Sequence, residues 1–137
     1  MTGYTEDTLV QQATANFLEQ QLGWQSVHVD KTLVVLVTGA GGKTGRAVIA
    51  ALRARDVAVR ALVRRSQQAE TLRDLGVEDV IVGDLENPES LLDACRGVQS
   101  VYHICPNMHP REFEIGLSMI AAAQSAGVGH FVYHSVL

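Results

Sequence analysis

The chain has 137 residues, 47% hydrophobic and 19% charged, a length and balance that suit one globular domain with a core of its own. Lys and Arg number 11 against 15 Asp and Glu, a net charge of −4, which excludes a general basic field for nucleic acid. No apolar run is long enough to span a membrane, no signal-peptide pattern opens the chain, and the two cysteines, Cys95 and Cys105, make no disulfide framework, so the expected setting is the reducing cytoplasm, away from membranes.

Residues 1–31 differ from the rest of the chain and read as a separate N-terminal helical segment and junction. Thr8 to Leu22 is polar and glutamine-rich, with apolar residues at Leu9, Val10, Ala13, Phe17, Leu18 and Leu22. That spacing predicts one amphipathic helix, capped at its start by Asp7 or Thr5 and ended by Gly23.

Residues 32–137 alternate between two periodicities. Leu33 to Val37 is apolar and β-branched, a strand buried on both faces, and it ends at Thr38. Gly39, Gly42 and Gly45 come next at three-residue spacing, and Arg46 to Arg55 has helical periodicity (Ala47, Val48, Ile49, Ala51, Leu52). Asp56 marks the turn into a second strand, Val57 to Val63. Ser66 to Leu75 is a second helix, with Ser66 as N-cap and Gly76 as its stop. Asp79 to Val82 is a short strand ending at Gly83-Asp84. Asn87 caps a third helix with Pro88 at its first position, running through Cys95. Gln99 to Cys105 is a strand closed by Pro106. Pro110 to Ala126 is a helix with Phe113, Leu117, Ile120 and Ala121 as its apolar positions and Gly127 after it, and Phe131 to Ser135 is a fifth strand. Strands alternating with helices argue for an α/β fold, a parallel sheet with right-handed crossovers and helices on both faces.

Strand, glycine-rich turn and helix is the context that gives the spacing its meaning. Gly39 turns the chain off the strand, Gly42 lets a phosphate approach the backbone, and Gly45 lets the helix start close against the strand. The first amides of the helix and its positive dipole end would then face a pyrophosphate. Gly42-Lys43-Thr44 also looks like the end of a Walker A loop. That reading fails because the glycine required five residues earlier falls at Val37, inside the strand.

TGAGGKTG resembles the TGxxGxxG signature of short-chain dehydrogenase/reductase domains, and Leu33 to Leu137 resembles their atypical NmrA-like branch, NADP-binding proteins that include redox sensors and reductases. The resemblance implies a three-layer, doubly wound Rossmann-type sheet of about five strands in the order 3-2-1-4-5, with an NAD(P)-binding domain over residues 32–137 that stops short of the family's C-terminal part. In such a sheet ligands lie beyond the carboxyl ends of the strands, near the switch point. Lys43 and Thr44 stand there with the glycines, as do Arg64 and Arg65 after strand two, Asp84 and Leu85 after strand three, Cys105 and Pro106 after strand four, and Ser135 after strand five. An NAD-preferring site usually has Asp or Glu where Arg64 stands. A guanidinium suits a 2′-phosphate, so NADP is expected in preference to NAD, with Lys43 as a second positive charge; the alternative is that Arg64 and Arg65 are a solvated surface pair. By the resemblance, Asp84 meets the adenine amino group, Leu85 packs on the ring, and Cys105 and Pro106 lie where the backbone passes the cofactor. On chemistry alone Asp84 reads as a turn residue or cap and Cys105 as a small buried hydrophobe.

TEDTLVQQATANFLEQQLGWQSV has a second resemblance, to the extreme N-terminus of type I restriction enzyme R subunits. It covers residues 1–26 and carries no catalytic residue, so a nuclease role is not expected to transfer.

His28, His103, His109, His130 and His134 match no zinc spacing. For catalysis the resemblance implies a serine, which Ser135 matches, and a Tyr-x-x-x-Lys pair. Tyr102 and Tyr133 are followed four residues later by Pro106 and Leu137, and Lys31 and Lys43 are the only lysines. The expectation is therefore an NADP(H)-binding module without a complete catalytic site. The alternatives are an NAD(P)H-dependent oxidoreductase of small carbonyls or quinones, or a non-catalytic interaction protein. Strand five is expected to be an open edge that pairs with a second copy or another partner.

Overall fold

Valines, isoleucines and alanines in short runs between glycine-marked turns build a layered α/β unit. The computed structural model describes residues 33–106 and 108–135. In chain order these are β1 (Val34–Val37), α1 (Lys43–Ala54), β2 (Ala58–Val63), α2 (Ser66–Asp74), β3 (Asp79–Val82), α3 (Pro88–Cys95), β4 (Ser100–Ile104), α4 (Glu112–Ser125) and β5 (His130–His134). The strands form one parallel sheet in the order β3-β2-β1-β4-β5. The expected N-terminal helix over Thr8 to Leu22 lies outside the described residues.

Side chains alternate across each strand and so serve two helical layers. On one face Val35, Val37, Val59, Ala61, Val63 and Tyr102 pack against Val48, Ile49 and Leu52 of α1 and Ala69 and Leu72 of α2. On the other, Leu36, Leu62 and Val101 pack against Leu91, Ala94 and Cys95 of α3 and Met119, Ala122 and Ala123 of α4. Each fully buried leucine here contributes roughly 1.5–3 kcal/mol of transfer free energy.

Helix ends obey the expected chemistry with shifts of a few residues. The Asn87 side chain accepts from the Glu89 amide at 3.0 Å, and Pro88 opens α3. Gly76 and Gly127 end α2 and α4 in left-handed conformations, φ +98° and +76°. At α2 the cap is Arg65, in extended conformation, and Ser66 is already inside the helix. α1 begins at Lys43, three residues before the expected start, so Lys43, Thr44 and Gly45 belong to its first turn.

The expected apolar face of α4 is corrected. Ile115, Gly116, Met119, Ala122 and Ala123 face the core, whereas Phe113, Leu117 and Ile120 are exposed, Phe113 at 76%. Among the described residues no helix is long and apolar enough to cross a membrane.

Candidate functional site

β1 and β4 are neighbours although sequence separates them, and α1 and α4 leave to opposite faces, so a crevice opens above their carboxyl ends. A cleft of about 600 Å³ fills it, within the range of small-molecule sites.

The floor is built at Thr38. Its amide donates to the Tyr102 carbonyl at 3.1 Å. Its hydroxyl accepts from the Ile104 amide at 2.9 Å, donates to the Ile104 carbonyl at 3.2 Å and lies 2.9 Å from His103 Nδ1. A hydroxyl has one proton, so with that proton on Ile104 the imidazole is the donor, protonated at Nδ1. His103 Nε2 is buried with no partner among the described residues. Burial pushes the His103 pKa down to about 4, so the ring is neutral.

This knot positions the glycine loop. Gly39 turns off β1 at φ +61°, and a Cβ there would lie 2.7 Å from the Ile104 carbonyl oxygen. A Cβ on Gly45 would collide with the Gly39 carbonyl oxygen and the Ala40 Cα, which is the close helix–strand approach expected of it. Gly42 differs: a Cβ there would meet only the Gly39 oxygen, at 3.5 Å. Its open side borders the cleft. Gly42 is also the N-cap of α1, no side chain caps that helix, and its first turn holds no acid. The positive end of α1 therefore faces the cleft uncompensated, a cradle suited to a phosphate.

The cleft brings together all ten expected positions: Gly39, Gly42, Lys43, Thr44 and Gly45 on the loop and first turn, Arg64 after β2, Asp84 and Leu85 after β3, and Cys105 and Pro106 after β4. Ser135 lies past β5 and does not border it. Asp84 is also a turn residue: its Oδ1 accepts from the Glu86 amide at 2.9 Å, and its own amide donates to Ser90 Oγ at 3.0 Å. Burial raises the Cys105 thiol to about 11, with the Glu112 charge adding to it, so it stays protonated and packs as a hydrophobe.

Arg65, expected at the end of strand two, lines the cleft as well, and so do residues not expected there, among them Gln68, Glu86 and His109. Glu86, on the β3–α3 loop, meets Arg111 Nη1 at 3.4 Å and His109 Nε2 at 4.0 Å across the mouth. His109 Nδ1 accepts from the Arg111 amide at 3.0 Å. The nearest sequence signal for Gln68 is its place three residues after Arg65, where a helix start uses a side-chain acceptor.

Among the described residues no cluster of His, Cys, Asp or Glu could hold a metal ion. The donors present (backbone amides, guanidinium groups, small apolar contacts) suit an anionic, planar-ringed ligand instead.

Comparison with known proteins agrees with this geometry. The profile of the NmrA-like family matches residues 31–137. An NAD(P)H azoreductase from Xenophilus azovorans is 35% identical over 99 residues, 72% of this chain and 34% of the relative. A crystal structure of Citrobacter sp. triphenylmethane reductase complexed with NADP(H) superposes with TM-score 0.66 at 35% identity, covering 75% of this chain and 37% of that one. The NADPH-dependent quinone oxidoreductase QOR2 from Escherichia coli, complexed with NADPH, gives TM-score 0.67 at 29% identity, covering 75% and 37%. The chain thus spans about a third of the length of the relatives it matches.

Proposed function

The chain belongs to the NmrA-like family, and on that premise we propose that its strand-end cleft binds NADP(H) as the cofactor module of a reductase-type protein. The observation that carries the cofactor choice is Arg64. It stands directly after β2, where NAD-preferring sites place a carboxylate, and it borders the same cleft as the glycine loop. The amides at the start of α1 would take the pyrophosphate, Arg64 and Lys43 the 2′-phosphate, Asp84 and Leu85 the adenine, and Cys105 and Pro106 the far half of the dinucleotide. When bound, the dinucleotide would supply hydride; this chain's own residues bind and orient it. The same reading makes residues 32–137 the cofactor domain and residues 1–31 a separate segment, consistent with the start of the family match at residue 31. The free, buried thiols of Cys95 and Cys105 suit a reducing compartment, and we place the protein in the cytoplasm.

Titration of NADPH and NADH by cofactor fluorescence tests this. NADPH is expected to bind more tightly by one to two decades, the worth of a charge-assisted hydrogen bond of roughly 1.5–3 kcal/mol, with solvent screening holding it near the lower end. Arg64→Ala should weaken NADPH and leave NADH nearly unchanged. Arg64→Asp should reverse the preference, because a carboxylate repels the phosphate and accepts from a 2′-hydroxyl. Equal affinity in the wild type would overturn the role of Arg64.

The second element of the reading is self-association. Among the described residues β5 pairs on one side only, and α4, which packs on β5 through Gly116 and Tyr133, leaves Phe113, Leu117 and Ile120 exposed. The link is direct: Tyr133 of β5 donates to the Glu112 carbonyl at 3.5 Å. We infer that this edge and stripe pair with a second copy.

A further inference from the structure

Gln68 is the third residue of α2. Its Oε1 accepts from the Arg65 amide at 3.2 Å, and that bond decides which end of the side-chain amide is which. The oxygen is held at the helix start, so the nitrogen is turned the other way, over the glycine loop. A Cβ on Gly41 would lie 2.5 Å from Nε2 and 2.6 Å from Cδ. The amide therefore lies across the bare Cα of Gly41, in space that any other residue there would fill. Nε2 carries two N–H donors, and no group among the described residues accepts from it. Gln68, Arg64, Arg65 and Lys43 all border the cleft.

Resting on the reading that the cleft takes NADP(H), we propose that Gln68 is a specificity-determining residue whose Nε2 donates to the 2′-phosphate, oriented for it by the Arg65 amide. A donor facing an ionised acceptor forms a bond about twice as strong as one facing a neutral hydroxyl. Gln68 therefore favours the phosphorylated ribose even though it would also reach an unphosphorylated one. Gly41 belongs to the same device, since its missing side chain gives the amide room to reach the loop.

The test uses the full chain and two probes that differ only in the 2′-phosphate, adenosine 2′,5′-bisphosphate and adenosine 5′-monophosphate, titrated calorimetrically. Gln68→Glu keeps an oxygen for the Arg65 amide and puts a second carboxylate oxygen where the donors stood. It should weaken the bisphosphate about tenfold or more, while Gln68→Met should weaken it about threefold. Neither should move the monophosphate by more than about twofold, a split that a merely structural role of Gln68 in α2 would not produce. If both variants keep the wild-type ratio of the two affinities, the assignment of Gln68 is overturned and the NADP reading stands. A folded wild type that binds the two probes equally overturns the NADP reading, and the assignment of Gln68 with it.

Discussion

His103 is fully buried, with Phe131 and Tyr133 rings beside it at centroid distances of 6.2 and 5.2 Å. Its neutral form is what the fold accommodates. The unfolded chain binds a proton near pH 6.5, the native state only near 4. Stability therefore falls as pH drops from about 6.5 to about 4 and levels off below, a loss of roughly 3 kcal/mol. Thermal melts across that window should show the slope, and His103→Asn should flatten it; equal slopes in both would assign the loss to other groups. The loop glycines separate by the same close reading. Gly45→Ala forces a Cβ into the Gly39 carbonyl and should destabilise the fold by roughly 1–3 kcal/mol or more. Gly42→Ala meets nothing closer than 3.5 Å and should change stability by less than about 1 kcal/mol, yet weaken NADPH binding several-fold by filling the cradle. Chemical denaturation and cofactor titration of the pair would show whether the two roles divide in this way. The tight turn at Gly39 and the close approach at Gly45 were legible in the spacing, because glycine at such positions leaves few alternatives. His103 was not: a lone histidine in a strand does not announce that its partner is a threonine 65 residues away.

At the scale of elements, the strands and helices stood out because each is short, periodic and bounded by Gly, Pro, Asn or Asp. α4 shows where that signal fails. Apolar residues occur almost all round it: Phe113, Ile115, Leu117, Met119, Ile120 and the alanines after it. With no polar side to contrast, periodicity does not select the core face. The face that packs is the one carrying Gly116, which leaves room for the Tyr133 ring. The exposed stripe is then a surface with a consequence. Leu117→Glu should abolish self-association while leaving NADPH affinity within about twofold, since Leu117 does not border the cleft. Light scattering at high concentration reads it, and a wild type that stays monomeric would contradict the pairing of β5 and α4 with a second copy. The early start of α1 was hidden for a related reason: Gly45 in its first turn is a poor helix former, and only the close approach to β1 makes it favourable there.

For the molecule as a whole, the parallel sheet was legible in the alternation of strand and helix, its order in the Rossmann pattern that the glycine signature implies, and the cleft in the ends of the strands. Gln68, Glu86 and His109 escaped notice because they reach the cleft from inside a helix or from loops, where residue type alone carries no positional information. The family match begins at residue 31, and every cleft residue lies beyond it. Removing residues 1–26 should therefore leave NADPH affinity within tenfold, about 1.4 kcal/mol; a larger loss would show that the segment supports the cofactor domain.

The most direct measurement is a crystal structure of the chain grown with NADPH. The expected density places the pyrophosphate against the backbone amides of Gly42 to Thr44 at the start of α1, and the 2′-phosphate within hydrogen-bond distance of the Arg64 guanidinium. A dinucleotide bound away from the glycine loop, or one whose 2′-phosphate points to solvent with Arg64 turned aside, would contradict the account.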